Sequence, residues 1–211
     1  MSNNDNMWKN NPHFYATDGQ YTLVRLTEAD KENYFRLLEQ INTMSGFYDQ
    51  PGNYEIMWKV AVDLNEINYS IYNEDGEYCG DILIRYIERS SPEIGIDLLF
   101  EKRNQGIAAS CIKLLARTVH KERADIEYFV LRVSSRNLHS KHMIEKMGAI
   151  FVGEEDSFYQ QFVKLLIEER ENECSDVARR EKLKAVLDKL IVDEEDEEVV
   201  YRYKLTRDMY L

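Results

Sequence analysis

The chain has 211 residues, of which 44% are apolar and 31% charged, and its formal net charge is −12. That size and balance suit one globular domain with some embellishment. The acidic surplus argues against general nucleic-acid binding, which needs a basic face to neutralise phosphates. No apolar run approaches the roughly 20 residues that span a bilayer. The segment Met1 to Asn11 is polar and Asn-rich, without the basic and apolar parts of a secretory leader, which points to the cytoplasm. Cys79, Cys111 and Cys174 are expected to be free thiols there, and neither they nor the four histidines have metal-ligand spacing, so no metal is expected.

In chain order, Tyr21 to Leu26 reads as a strand. Thr27 and Asp30 form a partial capping box for a helix starting near Glu28, with Tyr34, Leu37, Leu38 and Ile41 on one face. A second helix is predicted over Tyr54 to Leu64, burying Ile56, Val60 and Leu64. The period then shifts to two. Tyr69 to Tyr72 and Cys79 to Ile87 flank the turn Asn73-Glu74-Asp75-Gly76, and Glu93 to Phe100 continues the meander. Gly106 to Ala124 is a helix with Ile107, Cys111, Leu114, Leu115 and Val119 inward. A strand at Glu127 to Val133, a short helix at Leu138 to Met147 stopped by Gly148, and a strand at Ala149 to Gly153 follow. Val199 to Thr206 alternates as a closing strand. Between the last two strands, residues 155–198 read as a helical insertion within the single domain 1–211, ending in the acidic run Asp193 to Glu198. This order describes an α/β, mixed, mostly antiparallel sheet with helices on both faces.

The informative junction is Glu93 to Ala109: a strand, a tight turn and a helix start. Backbone N–H groups at such a start have no intrahelical partner and point outward with the positive end of the helix dipole, so a phosphate or pyrophosphate is the natural guest. Gly106 permits close approach, Ala108 leaves the next turn unobstructed, and Arg103 adds a charge-assisted contact. A strand-to-helix turn without a ligand has the same local pattern.

Arg103-Asn104-Gln105-Gly106-Ile107-Ala108 resembles the R/Q-x-x-G-x-G/A motif of the GNAT N-acetyltransferase superfamily. Glu93-Ile94-Gly95-Ile96 resembles the strand before that motif in the branch that includes the Rim-type ribosomal-protein acetyltransferases. Val133 to Asn137 is similar to the end of the family's fifth strand, and Asn137-Leu138-His139-Ser140 with Glu145-Lys146-Met147-Gly148-Ala149 to its Asn-x-x-Ser/Ala and Glu-Lys-x-Gly-Phe segment. The resemblance covers Tyr21 to Glu155 and implies the GNAT acyl-CoA fold, with acetyl-CoA as co-substrate and an amine as acceptor. It implies that Leu98, Leu99 and Phe100 pair with the pantetheine arm. The amides of Asn104, Gln105, Gly106, Ile107, Ala108 and Ala109 would hold the pyrophosphate, with Asn137 and Ser140 nearby.

The implied reaction is direct attack of an amine on the thioester. An alkylamine with pKa about 10.4 must first lose a proton. Glu93 is the preferred base and Asp97 the alternative; each is otherwise an ordinary strand carboxylate. The family's usual general acid is a Tyr seven residues after the Asn, and that position here is Ile144, which leaves water, Ser140 or a distant tyrosine. Cys111 reads as core rather than nucleophile. The acceptor classes are a protein N-terminus, a polyamine, an amino sugar or an antibiotic. The alternative from another class is a non-catalytic acyl-CoA sensor or assembly module. The insertion is expected to cover the acceptor side or to pair with a second subunit as a homodimer.

Overall fold

The computed structural model describes residues 13–41, 52–62, 66–156 and 199–211. The polar N-terminal segment, Leu64, Cys174 and the apolar positions expected between Phe158 and Ile191 lie outside them.

Among the described residues the order is β1 (Phe14–Thr17), β2 (Tyr21–Arg25), α1 (Lys31–Ile41), α2 (Asn53–Val62), β3 (Glu66–Asn73), β4 (Tyr78–Arg85), β5 (Glu93–Leu98), α3 (Ile107–Glu122), β6 (Tyr128–Ser134), α4 (Leu138–Lys146), β7 (Ile150–Asp156) and β8 (Val199–Thr206). Single 3₁₀ turns occupy Glu28–Asp30, Phe100–Lys102 and Arg207–Met209. The strands form one sheet in the order β1-β2-β3-β4-β5-β6-β8-β7. Every neighbouring pair is antiparallel except β5 and β6.

The predicted elements recur with shifted ends, and each shift has a local cause. β1 was not expected from hydropathy; its signal is the Asp18-Gly19 turn, where Asp18 Oδ1 accepts from the N–H groups of Gln20 at 3.0 Å and Tyr21 at 2.8 Å. The Asp30 carboxylate accepts from the Thr27 N–H and hydroxyl, both at 2.9 Å, yet the first turn is 3₁₀ and α1 begins at Lys31. The β3–β4 hairpin is closed by Asn73 Oδ1, which accepts from Asp75 N–H at 3.1 Å and Glu77 N–H at 2.8 Å. β5 stops at Leu98 rather than Phe100 because the chain turns through Phe100–Lys102. β7 extends past Gly153, pairing Glu155 with Val200 and Asp156 with Val199. Those two residues, expected to open the insertion, therefore belong to the sheet.

α3 buries Ile107, Cys111, Leu114, Leu115 and Val119, each at most 5% exposed. They pack with Ile82, Ile84, Ile94, Phe129 and Leu131 of the sheet. Alternate residues of β4 and β5 face the other way, where Leu37 of α1 packs with Tyr78 and Leu99. The sheet is thus covered on both faces near β4. Burial of each large apolar side chain contributes roughly 1.5–3 kcal/mol.

One relationship positions the site. β5 and β6 run parallel and share a single register pair, Glu93 with Val130. Beyond it β5 pairs only with β4, from Ile94 through Leu98, and β6 pairs with β8 along its whole length. The two central strands therefore splay apart toward their C-terminal ends.

Candidate acyl-CoA site

The splay opens a cleft of about 280 Å³. Ile96, Asp97 and Leu98 of β5 form one wall, Arg103, Asn104 and Gly106 to Ala109 the floor, and Asn137, His139, Ser140 and Met143 the other wall.

The floor has the geometry of an anion cradle. Gly106 caps α3 at φ +80°, preceded by Asn104 at φ +60°, a left-handed backbone that favours glycine. Space beside Gly106 is open: a β-carbon there would meet nothing within 4 Å. The Gly106 carbonyl accepts from Ser110 N–H at 3.1 Å. The amides of Ile107, Ala108 and Ala109 precede that first bond, at the positive end of a 16-residue helix. The turn is tied to α1 and the hairpin. Phe100 N–H donates to Gln40 Oε1 at 2.7 Å, Lys102 pairs with Glu77 at 2.6 Å, and Arg36 pairs with Glu101. Arg103 Nε donates to the Leu98 carbonyl at 3.1 Å, and its guanidinium lies 4.2 Å from the centre of the Phe100 ring.

The family model described as an acetyltransferase (GNAT) domain matches residues 20–150. The chain belongs to the GNAT acetyltransferase family. No curated protein matches it significantly in sequence. Solved structures share the fold. One, provisionally assigned as an acetyltransferase, is 15% identical, with 94% of this chain and 89% of that chain covered and a TM-score of 0.63. The spermidine/spermine N-acetyltransferase SpeG from Vibrio cholerae, in complex with manganese ions, is 17% identical, with 90% and 95% covered and a TM-score of 0.58. A dodecameric form of the Vibrio cholerae spermidine N-acetyltransferase is 16% identical, with 92% and 98% covered and a TM-score of 0.59. This GNAT protein is thus an acyl-CoA-dependent N-acetyltransferase.

In this acetyltransferase the cleft brings together Asp97, Leu98, Arg103, Asn104, Gly106, Ile107, Ala108, Ala109, Asn137 and Ser140 from the expected set. It does not bring in Glu93, Leu99, Phe100 or Gln105. Leu99 is fully buried and its N–H donates to the Cys79 carbonyl at 3.0 Å, while Phe100 N–H is held by Gln40. Neither amide is free for a pantetheine arm. Gln105 turns back, its side chain donating to the Glu101 carbonyl at 2.8 Å. Asn137 Oδ1 accepts from Ser140 N–H at 3.0 Å, capping α4; its amide NH₂ remains as a donor at the cleft. Ile96, His139 and Met143 join the lining without having been singled out. His139 and Met143 are four residues apart, and Ser140 and Met143 three apart, so all share one helical face; that spacing was the available signal. Ile144 is 4% exposed and belongs to the core. Among the described residues no tyrosine lines the cleft. Cys111 is also core, and burial pushes its thiol up.

The carboxylates divide by environment. Glu93, at the paired end of β5, is 8% exposed and lies 3.3 Å from Arg85 and 3.7 Å from Arg132. Arg132 also reaches Glu155 at 2.9 Å, and Glu155 meets Arg202 at 3.2 Å. This ladder of charges joins β4 to β8 where β5 and β6 have one backbone pairing. Asp97 opens to the cleft, but the concave wall desolvates it and raises its pKa, against the positive charges of Arg103 and Arg85. Among the described residues no group of three His, Cys, Asp or Glu side chains could hold a metal, and no helix is long and apolar enough to cross a membrane.

Proposed function

We propose that the protein transfers an acetyl group from acetyl-CoA to a primary amine by direct attack. The observation that carries this reading is the junction of a splayed β5–β6 pair with an open, left-handed Gly106 at the N-terminus of α3. The cradle fits a pyrophosphate in shape and sign: unpaired amides, an unobstructed glycine and Arg103. Leu98 and the Asn137 NH₂ would orient the pantetheine arm. Asp97, on the cleft wall, is better placed than Glu93 to take the amine proton, because Glu93 is engaged by two arginines away from the cleft. Ser140 or water would protonate the departing thiolate.

The net charge of −12 and Asp97 favour a cationic acceptor. Two acceptor classes have support: the Rim-type resemblance suggests a protein α-amine, and the spermidine N-acetyltransferases that share the fold suggest a polyamine. A homo-oligomer formed in the cytoplasm is the accompanying expectation. Thiol release from acetyl-CoA, measured with N-terminal peptides, spermidine, amino sugars and aminoglycosides, tests the reaction; turnover with one class is the expected result. The second reading, an acyl-CoA sensor, is favoured by the buried Ile144 where the family usually places its acid. Tight CoA binding without turnover on any amine would select it.

A further inference from the structure

Asp97 has a partner behind it. In the β4–β5 ladder Asp81 is directly opposite Asp97, so both side chains leave the same face of the sheet with β-carbons about 5 Å apart. That face is opposite the one covered by α3, which carries the anion cradle. Two like charges in such a pair destabilise a sheet.

Asp81 is 6% exposed, and neither of its carboxylate oxygens has a hydrogen-bond partner. Around it, the Ser70 and Tyr78 hydroxyls are buried and equally unpartnered. Both hydroxyls lie near the Asp81 carboxyl and favour its charged form. Asp30, in front of α1, adds a further negative charge and is bonded by the Tyr72 hydroxyl. The cations facing the pair, Arg103 and Arg85, act on Asp97. A buried carboxyl stays neutral unless positive charge arrives to stabilise its ionised form.

Resting on the amine-acceptor reading above, we propose that Asp81 and Asp97 form one carboxyl pair that binds an aliphatic ammonium on the acceptor side. Asp97 touches the cation, and Asp81 is a positioning residue that strengthens the contact from the adjacent strand. Burial, chiefly, pushes the Asp81 carboxyl up to about 8. Asp81 is therefore neutral at low pH and charges as the cation arrives or the pH rises, so amine affinity and proton release are linked.

The test is calorimetry of 1,6-diaminohexane on the full chain saturated with CoA, at pH 6 and pH 8.5 and constant ionic strength. The primary ammonium groups of this probe titrate near pH 10. The parent is expected to bind severalfold more tightly at pH 8.5. Asp81→Asn, which resembles the neutral carboxyl, should match the parent within about twofold at pH 6 and fall behind by about five- to tenfold at pH 8.5. Equal affinity at pH 6 shows that the variant is folded. A parent affinity that does not change with pH, a variant-to-parent ratio that is the same at both pH values, or no binding of the diamine overturns the pair. Thiol release is measured separately. Its absence with intact pH-linked binding overturns acetyl transfer and leaves the site standing, and turnover with a flat ratio does the reverse.

Discussion

Gly80 on β4 lies so close to the backbone of Asp97 on β5 that a β-carbon at Gly80 would sit 2.1 Å from the Asp97 carbonyl oxygen and 2.8 Å from the α-carbon of Leu98. Gly80 also has φ +150°. The close approach sets the depth of the wall that carries Asp97 and Leu98. Gly80→Ala must push β5 outward, because the obstructing atoms are backbone. The expected outcome is a loss of about 1–3 kcal/mol or more together with weaker acetyl-CoA binding. Thermal unfolding and calorimetry read both effects, and a variant with parental stability would show that the strands can part freely here.

Gly106 sits in the contrasting environment, with open space beside it. Gly106→Ala should lose about 1 kcal/mol through its left-handed backbone and keep most of its acetyl-CoA affinity. Gly106→Glu adds a side chain and a negative charge where an anion is expected, and affinity should drop at least about tenfold. Calorimetry separates the two; parental acetyl-CoA affinity in Gly106→Glu would remove the cradle from the donor site.

Asn137 has two roles that a substitution can split. Asn137→Asp retains an oxygen for Ser140 N–H but loses the NH₂ donor. Asn137→Ala loses both and should be less stable by about 1 kcal/mol. Asn137→Asp is expected to unfold like the parent and to show a raised acetyl-CoA KM. If its KM is unchanged while Asn137→Ala is destabilised, the residue is a cap alone.

The base assignment is open to a paired comparison. Asp97→Asn should lower turnover by about 10²- to 10⁴-fold and remove the acidic limb of the pH profile, where the carboxylate is protonated. Glu93→Gln should act mainly on stability, because it leaves Arg85 and Arg132 without their shared carboxylate. If Glu93→Gln instead shows the larger loss of turnover, the base lies at the joined end of the strands.

Asp81 also predicts how stability varies with pH. Its carboxyl is raised by burial from 3.8 to about 8, so between those values the folded chain holds a proton that the unfolded chain releases. Stability from this group therefore falls as pH rises from about 4 to about 8, then levels off. Asp81→Asn should remove that slope and gain on the order of a few kcal/mol over the parent at pH 8.5. Denaturant unfolding at pH 5 and pH 8.5 measures it, and parallel slopes would mean that Asp81 is charged in the folded protein.

The sequence by itself determined the elements and the anion turn. Both rest on local rules: the inward face of α3 on helical period, the hairpin on Asn73 and its turn, the cradle on Gly106 ahead of a helix. Even β1 had a local signal in Asp18-Gly19. Only tertiary structure decided which carboxylate faces the cleft, because Glu93 and Asp97 share a strand face and differ in distance from the one pair joining β5 to β6. It also decided that Leu99 and Phe100 point their amides at Cys79 and Gln40. Asp81 was invisible for the same reason. A single acid in an apolar strand gains its meaning from the residue across the ladder, and sheet register is a long-range property that neighbouring residues in the chain do not encode.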